Sequence, residues 1–548
     1  VQGMITVLDY LLVRLKELEI KTIFGVPGDY NLPFIGVVDN DKDIQWVGAC
    51  NELNASYACE GYARIKGFSA LCTTYGVGEL SAINGVAGAF AEQVPIIHIV
   101  GAPSQSKQEK GKTLHHCLAT GRFDAFEKMY RHISKTTAVL TYHNATEEID
   151  RVLETLWRYR YPVYLLIPED VGVMKVNKPK LPLQLTLPQS NPDDLNKVIT
   201  LLENKIKQSK SPCIIIGEQV SRYQLRKQVE NLLEKTNLPF FTVWGSKGVV
   251  DEGRQQYGGI LFGELSNPQG LDYIINSDLI ISLGVSWDEV NTAGFTFDVP
   301  TQNCYQFYDT YSLIEEEKIY GVSLLDMPNA LLALDYLYPH NIALLPQKIV
   351  PPDWQGLIKI DSIPLLLDKV LDDNSVILAE AGNAFLCAVN HIFSGNSQLV
   401  VSNIWASIGY TLPAALGVTL ALENQGRAFV VIGDGAFQMT AQELSTLLRL
   451  KLNPVIFIVN NQGYAFEKIF YGPKDTFNDI QNWNYSQLPE LFNCDAYSVK
   501  VDSLEALETV LPLLKVHQDK LCLVELDMDK HDYSEPISEF IALLNQYK

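Results

Sequence analysis

Residues 433–464 read GDGAFQMTAQELSTLLRLKLNPVIFIVNNQGY and follow the apolar run RAFVVI at 427–432. RAFVVIGDG is an apolar strand that runs into a glycine turn. TAQELSTLLRL has the spacing of an amphipathic crossover helix, with Thr440 a candidate N-cap and Glu443 three residues on. NPVIFIVNN is the next strand, ended by Asn460 and Asn461. Strand, helix and strand in this order make a βαβ unit, and hence a parallel sheet covered by helices. The glycines imitate G-x-G-x-x-G, but Gln438 stands where the last glycine belongs, and no Gly-Lys-Ser/Thr follows. Neither a dinucleotide fingerprint nor a P-loop is present.

The same alternation recurs on both sides of this unit. Near the N-terminus, Ile5, Leu8, Leu12, Leu15 and Leu18 share one helical face, KTIFGVPGD reads as a short buried strand, and SALCTTYGVGELSAINGVAGAFAEQVPIIHIVG reads strand, turn, helix, strand. The breaker-rich NKPKLPLQLTLPQSNPDD closes this block. KSPCIIIGEQV, LPFFTVWGSKG and DLIISLGVSWDE form a second block, and LLPQKIVPPDWQG marks a second boundary. The third block holds NSVILAEAG, QLVVSNIW, RAFVVIGDG, NPVIFIVNN and DKLCLVELDMD. The fold class is therefore α/β, with three consecutive domains of largely parallel sheet flanked by helices, at 4–180, 195–345 and 358–548.

A chain of 548 residues is too long for one core. Its net charge of −21 argues against nucleic acid and against an anionic membrane surface as partners. It leaves anionic small substrates open, because a pocket can differ in potential from the surface. Nine scattered cysteines with no C-x-x-C point away from a disulfide framework or a zinc site and toward a reducing cytoplasm. No charged-then-apolar leader precedes the first helix, and Val1 to Gly3, ahead of Met4, read as added residues. The most apolar run, LPAALGVTLALEN, is too short and too broken by Gly and Pro to span a bilayer. No short repeat or low-complexity tract is visible.

Ligands of parallel sheets sit beyond the carboxyl ends of strands. Asp434 stands at one such end and Asn461 at the next, with Gly435 allowing the backbone close to a phosphate. Taken singly, Gly-Asp-Gly is a tight turn and the asparagines are turn formers. Together, each ending a buried strand, they suit a hard divalent cation such as Mg²⁺, held by Asp434, the Asn461 amide oxygen and a backbone carbonyl near Gly463. Gly-Asp-Gly followed by a helix, a strand and Asn-Asn resembles the metal-diphosphate motif of thiamin diphosphate enzymes. The resemblance implies a cofactor, thiamin diphosphate, whose diphosphate meets Mg²⁺ and lies against Gly433, Asp434, Gly435, Ala436 and Asn461.

Such an enzyme needs a carboxylate for the aminopyrimidine ring. GACNELNASYACEGYARIKG offers Glu52, after a strand and at a helix start. By itself this is an ordinary first-turn carboxylate favoured by the helix dipole. The motifs Gly-Asp-Tyr-Asn with Asp29, Asn-Glu-Leu-Asn-Ala with Glu52, Thr-Leu-His-His with His115 and His116, and GYAFEK with Glu467 are similar to those of the 2-oxo acid decarboxylases, within the pyruvate and indolepyruvate decarboxylase group. Adjacent histidines diverge on any regular element, so a metal shared by His115 and His116 is not expected; one would relay protons while its neighbour orients a carboxylate.

What this resemblance implies is non-oxidative decarboxylation of a 2-oxo acid to an aldehyde and CO₂ through the cofactor's ylide. Glu52 would promote ylide formation, and Asp29, His115, His116 and Glu467 would manage the later proton transfers. Ile408 would prop the cofactor in its bent form, the Ala406 carbonyl would accept from the pyrimidine amino group, and Asn383 would lie near the diphosphate. The active sites would be shared between subunits of a dimer, two dimers making a homotetramer. Val290 and Ala381 align with bulkier residues of pyruvate-specific relatives, and Phe466 and Phe470 with aliphatic ones. This points to substrates larger than pyruvate, of branched-chain or aromatic type. Pyruvate decarboxylase proper, an acetolactate-synthase-like carboligase and a non-catalytic relative remain as alternatives. The histidine pair and Asp29 argue against the carboligase, and the full set of site residues argues against the non-catalytic relative.

Overall fold

The computed structural model describes residues 3–344, 354–389, 391–472, 474 and 476–546. Most of the second breaker segment, at 345–353, and Val1 and Gln2 lie outside the described residues. The chain divides into two compact units. One comprises Val1–Leu187, Leu412–Leu422 and Thr440–Leu450, and the other Pro188–Thr411, Glu423–Met439 and Lys451–Lys548.

The first unit carries a six-stranded sheet in the order Gln45–Gly48, Thr22–Gly25, Ser69–Thr74, Ile96–Ala102, Val163–Pro168, Thr137–Val139, every neighbouring pair parallel. Numbered along the chain, this is 2-1-3-4-6-5. Its inner strands are buried on both faces, which is why they read as continuous apolar runs rather than as alternation. The first helix, Val7–Glu17, starts later than its apolar face suggests. Ile5 belongs instead to a short strand, Met4–Thr6, paired antiparallel with Lys175–Asn177, and Thr6 and Asp9 form a capping box.

One buried polar network crosses this unit. His98, on strand Ile96–Ala102, is fully buried, with Nε2 2.8 Å from Thr73 Oγ1 and its ring beside Tyr130 and Tyr164. Glu79, equally buried, accepts from the Tyr164 hydroxyl at 2.7 Å and from the Gly76 N–H at 2.8 Å.

The second unit holds two sheets. One runs Tyr257–Leu261, Phe240–Val243, Pro212–Ile216, Leu279–Leu283, Cys304–Phe307 in parallel, then turns antiparallel through Ser312–Ile314 and Glu317–Ile319. The other runs Gln398–Val400, Ser375–Ala379, Arg427–Gly433, Val455–Asn460, Cys522–Asp527, Tyr497–Val501, all parallel. Its order along the chain is again 2-1-3-4-6-5. The sheet of the first unit and this one are therefore two copies of one winding. Among the described residues no helix is long and apolar enough to cross a membrane.

Two local expectations need correction. The helix after Gly433 begins at Asp434 itself, spans Asp434–Thr440, and restarts as Glu443–Arg449. Thr440 is therefore the last residue of one helix and not the cap of the next, and Gln442 precedes the second without a side-chain cap bond. Glu443 cannot close a capping box because its carboxylate is engaged elsewhere, with Cys50 and Asn54.

Candidate active site

In a 2-1-3-4-6-5 winding the connections leave strands 1 and 3 in opposite directions, which opens a crevice beyond their carboxyl ends. In the second unit those strands are Ser375–Ala379 and Arg427–Gly433, paired directly. A cavity of about 320 Å³ opens there. The loop after the first strand contributes Ala381, Gly382 and Asn383; the end of the third contributes Gly433, Asp434, Gly435 and Ala436; the next strand end contributes Asn461 and Gly463. Ala406, Ile408, Val290, Phe466 and Glu467 also line it.

Asp434 is fully buried at the start of its helix. Its Oδ1 accepts the Gly435 N–H at 2.8 Å and its Oδ2 the Gly463 N–H at 3.2 Å. Burial pushes its pKa up to about 6, against the lowering effect of those N–H groups and of Lys468. Gly435 is required sterically, since a Cβ there would stand 2.6 Å from the Tyr464 ring. At Gly433 a Cβ would meet nothing within 4 Å, so its absence leaves room in the cavity.

The donor set tests whether a cation fits. One terminal atom of the Asn461 amide lies 3.1 Å from both Asp434 Oδ1 and the Gly463 carbonyl oxygen. With nitrogen at that position it donates to both; with oxygen there, three oxygens converge. An octahedral cation with oxygens at about 2.1 Å needs neighbouring ligands about 3.0 Å apart, close to the two spacings that the Asn461 amide makes. Asp434, the Asn461 amide oxygen and the Gly463 carbonyl could therefore hold Mg²⁺. The open space beside Gly433 leaves room for a diphosphate against them.

The first unit gathers the other candidates. Asp29 and His115 meet through Oδ2 and Nε2 at 2.5 Å, and His116 Nε2 lies 3.9 Å from Asp29 Oδ1. The expectation that neighbouring histidines diverge fails here. They lie in no regular element, and His116 adopts φ 64°, which turns its ring toward the same carboxylate. Gly76 makes room for that turn: it has φ 66°, and a Cβ on it would overlap the His116 carbonyl oxygen. Ligand atoms of the three side chains lie within 4.8 Å of one another.

Tyr30 was not singled out from sequence, although it sits in the same Gly-Asp-Tyr-Asn motif. Its ring stacks on His115 at 4.7 Å, and its hydroxyl is 3.3 Å from His115 Nδ1. Burial, helped by Asp29, pushes its pKa up to about 12, which keeps it a neutral hydrogen-bond donor.

Glu52 opens the helix Glu52–Lys66, whose N-cap is Asn51, accepting from the Asn54 N–H at 2.9 Å. Glu52 is half-buried, and burial raises its pKa. The turn that carries it is fastened by Glu443, which accepts the Cys50 N–H at 3.1 Å and the Asn54 amide at 2.8 Å. Sequence reading offered Glu443 only as part of a capping box, because nothing local shows a partner so far away along the chain.

Two features of the second unit depart from expectation. Phe470 is not among the residues lining the cavity; it packs behind Phe466, ring centres 5.4 Å apart. On the helix Ala465–Phe470 the two positions are four apart, so only the nearer ring reaches the wall. Phe540, Tyr464 and Asn403 line the cavity without having been anticipated. Phe540 belongs to the amphipathic helix Glu535–Gln546, whose periodicity marks it as core but cannot say which core.

Comparison with known proteins agrees with this geometry. Residues 5–124 match the thiamine pyrophosphate enzyme N-terminal TPP binding domain, 199–307 the central domain and 380–526 the C-terminal TPP binding domain. The chain is 35% identical over 512 residues to a pyruvate decarboxylase of Candida glabrata, covering 90% of this chain and 89% of that one. It is 36% identical over 506 residues to pyruvate decarboxylase isozyme 3 of Saccharomyces cerevisiae, covering 90% of each chain. With the pyruvate decarboxylase of Aspergillus fumigatus it shares 34% identity over 548 residues, covering 96% of this chain and 95% of the relative. The same winding used in two sheets, a crevice at the switch point of the second unit and these matches along the length of the chain place the protein in the thiamine pyrophosphate enzyme family, as a decarboxylase related to the pyruvate decarboxylases.

Proposed function

We propose that this enzyme converts a 2-oxo acid larger than pyruvate, of branched-chain or aromatic type such as phenylpyruvate or indolepyruvate, to an aldehyde and CO₂. The observation that carries this reading is the cavity wall. Val290 and Ala381 are small, while Phe466 and Phe540 supply aromatic surface. Each methylene buried against such a wall adds about 0.8 kcal/mol, a several-fold preference per carbon.

Bound thiamin diphosphate supplies the electron sink that lets the bond to the carboxyl carbon break. The chain's residues do the rest. Asp434, Asn461 and the Gly463 carbonyl hold Mg²⁺, with Gly433, Gly435, Ala436 and Asn383 against the diphosphate. Ile408 and the Ala406 carbonyl orient the ring system, and Glu52 holds a proton at its carboxylate for the aminopyrimidine. His115 Nε2, paired with Asp29, together with His116 and Glu467, moves protons to and from the product. On this reading the blocks 4–180 and 358–548 bind the pyrimidine and diphosphate ends, and 195–345 carries no catalytic motif. The cofactor lies between the first block of one subunit and the third block of another, in a dimer that pairs into a homotetramer in the cytoplasm.

The test is CO₂ release from a panel of 2-oxo acids with cofactor and Mg²⁺ added. The expected result is a higher kcat/KM for acids of five or more carbons than for pyruvate, with Val290→Phe losing the larger substrates selectively. A preference for pyruvate of about tenfold or more, a difference of about 1.4 kcal/mol, would replace this reading with pyruvate decarboxylase proper, the reading that the named relatives favour.

A further inference from the structure

Glu380 follows the strand Ser375–Ala379 and is buried, with only 1% of its surface exposed. Its backbone N–H continues the sheet by donating to the Val431 carbonyl at 3.0 Å. Its side chain bridges two segments that lie apart in sequence. Oε1 accepts the Ala381 N–H at 3.1 Å, and Oε2 accepts both the Thr411 N–H at 3.0 Å and the Thr411 hydroxyl at 2.8 Å. The Gly409 backbone N–H also bonds to this carboxylate. All four donors are neutral, and among the described residues no ion pair reaches Glu380.

Both tethered segments form cavity wall. Ala381, Gly382 and Asn383 stand on one, and Ala406 and Ile408 on the other. The second segment is intrinsically poorly determined, because Ala406 at φ 50° and Gly409 at φ 89° are both left-handed. For alanine this backbone costs about 1–2 kcal/mol, so something must hold it. The donors favour the ionised carboxylate and burial opposes it, pushing the pKa up to about 7. An uncharged side chain here would be cheaper to bury. A glutamine of the same volume cannot replace it, because its NH₂ would face an N–H or O–H donor on one side or the other.

We propose that Glu380 is the positioning residue of the cofactor shelf, fixing the Ala406–Ile408 backbone and the Ala381–Asn383 loop in one relative placement so that the shelf is formed before the cofactor binds. This rests on the thiamin diphosphate reading of the cavity. Glu380 does not touch the reacting atoms; it acts through the segments it ties together.

The experiment measures thiamin diphosphate binding to the full-length protein in saturating Mg²⁺, by calorimetry and by quenching of intrinsic fluorescence, alongside the Tm of the cofactor-free protein. Glu380→Gln should stay folded and raise the cofactor Kd by at least about tenfold, the scale expected for losing a hydrogen bond to a charged group. Thr411→Val, which removes only the hydroxyl, should raise Kd about threefold, and Thr411→Ser should restore the wild-type value. If Glu380→Gln lowers Tm while leaving the cofactor Kd unchanged, the residue is merely structural and the proposal fails. If Glu380→Gln does not fold, Thr411→Val decides, and an unchanged Kd there overturns the proposal. Wild-type protein that binds no cofactor would overturn the function proposed above, whereas wild type and variants binding equally well would overturn only the role of Glu380.

Discussion

Glu443 accepts a hydrogen bond of 2.8 Å from the Asn54 amide across 389 positions of sequence, and both side chains are fully buried. The same carboxylate oxygen holds the Cys50 N–H, so the turn that presents Glu52 is fastened on both sides. Glu443→Ala should strand the Asn54 amide and the Cys50 N–H, at about 1–3 kcal/mol each. The expected outcome is a lower Tm together with a fall in kcat, and less than additive losses in the Glu443→Ala, Asn54→Ala double variant. Additive losses would show that the two side chains act separately.

Glu52→Gln tests the proton-holding role directly. An amide keeps the shape and the first-turn position but cannot exchange a proton at that point. Turnover should fall about a hundredfold or more, while the circular dichroism and the cofactor Kd stay close to wild type. Retention of a tenth of the activity would remove Glu52 from the mechanism.

Asp434→Ala should behave differently. It removes one of three converging oxygens and leaves the charge of a diphosphate without its cation. Cofactor and Mg²⁺ should be lost together in equilibrium dialysis. A variant that retains cofactor as tightly as wild type would mean that the cation sits elsewhere.

The His98 and Glu79 network predicts a pH dependence of stability in the first unit. His98 is depressed by burial from 6.5 to about 3, so its contribution is present above 6.5 and is lost as pH falls through 3. Glu79 is raised by burial from 4.5 to about 7, so its contribution is present below 4.5 and is lost as pH rises through 7. Between pH 4.5 and 6.5 the two slopes oppose each other. His98→Gln should unmask Glu79, so that urea unfolding shows stability falling by up to about 1.4 kcal/mol per pH unit as pH rises from 4.5 to 7. An unchanged pH slope in the variant would rule out His98 as the opposing group.

Much of this was readable from the chain itself. Apolar runs, several of them ended by glycine or asparagine, announced inner strands in all three sheets, because a parallel strand covered on both faces must be apolar throughout. Asp434 and Asn461 were legible because chemistry at strand ends is local: each residue follows its own strand by one position. Phe470 was expected in the wall by resemblance alone, which matches positions along the chain but does not say which of two neighbouring rings faces the cavity; Phe466 does, with Phe470 packed against it. The convergence of His115 and His116 on Asp29 depended on a left-handed turn at a non-glycine residue, made possible by the missing Cβ of Gly76 forty positions earlier. Glu380 and Glu443 gave no local sign of their roles, because a buried carboxylate declares its partners only when distant backbone N–H groups fold against it. The sequence alone determined the α/β class, the order of the elements and the residues at strand ends, all set by periodicity and turn chemistry over a few neighbours. Only the tertiary structure decided which strands became neighbours in the repeated 2-1-3-4-6-5 winding, and therefore which loops share a crevice, because strand pairing is a long-range choice among parallel edges of nearly equal local propensity.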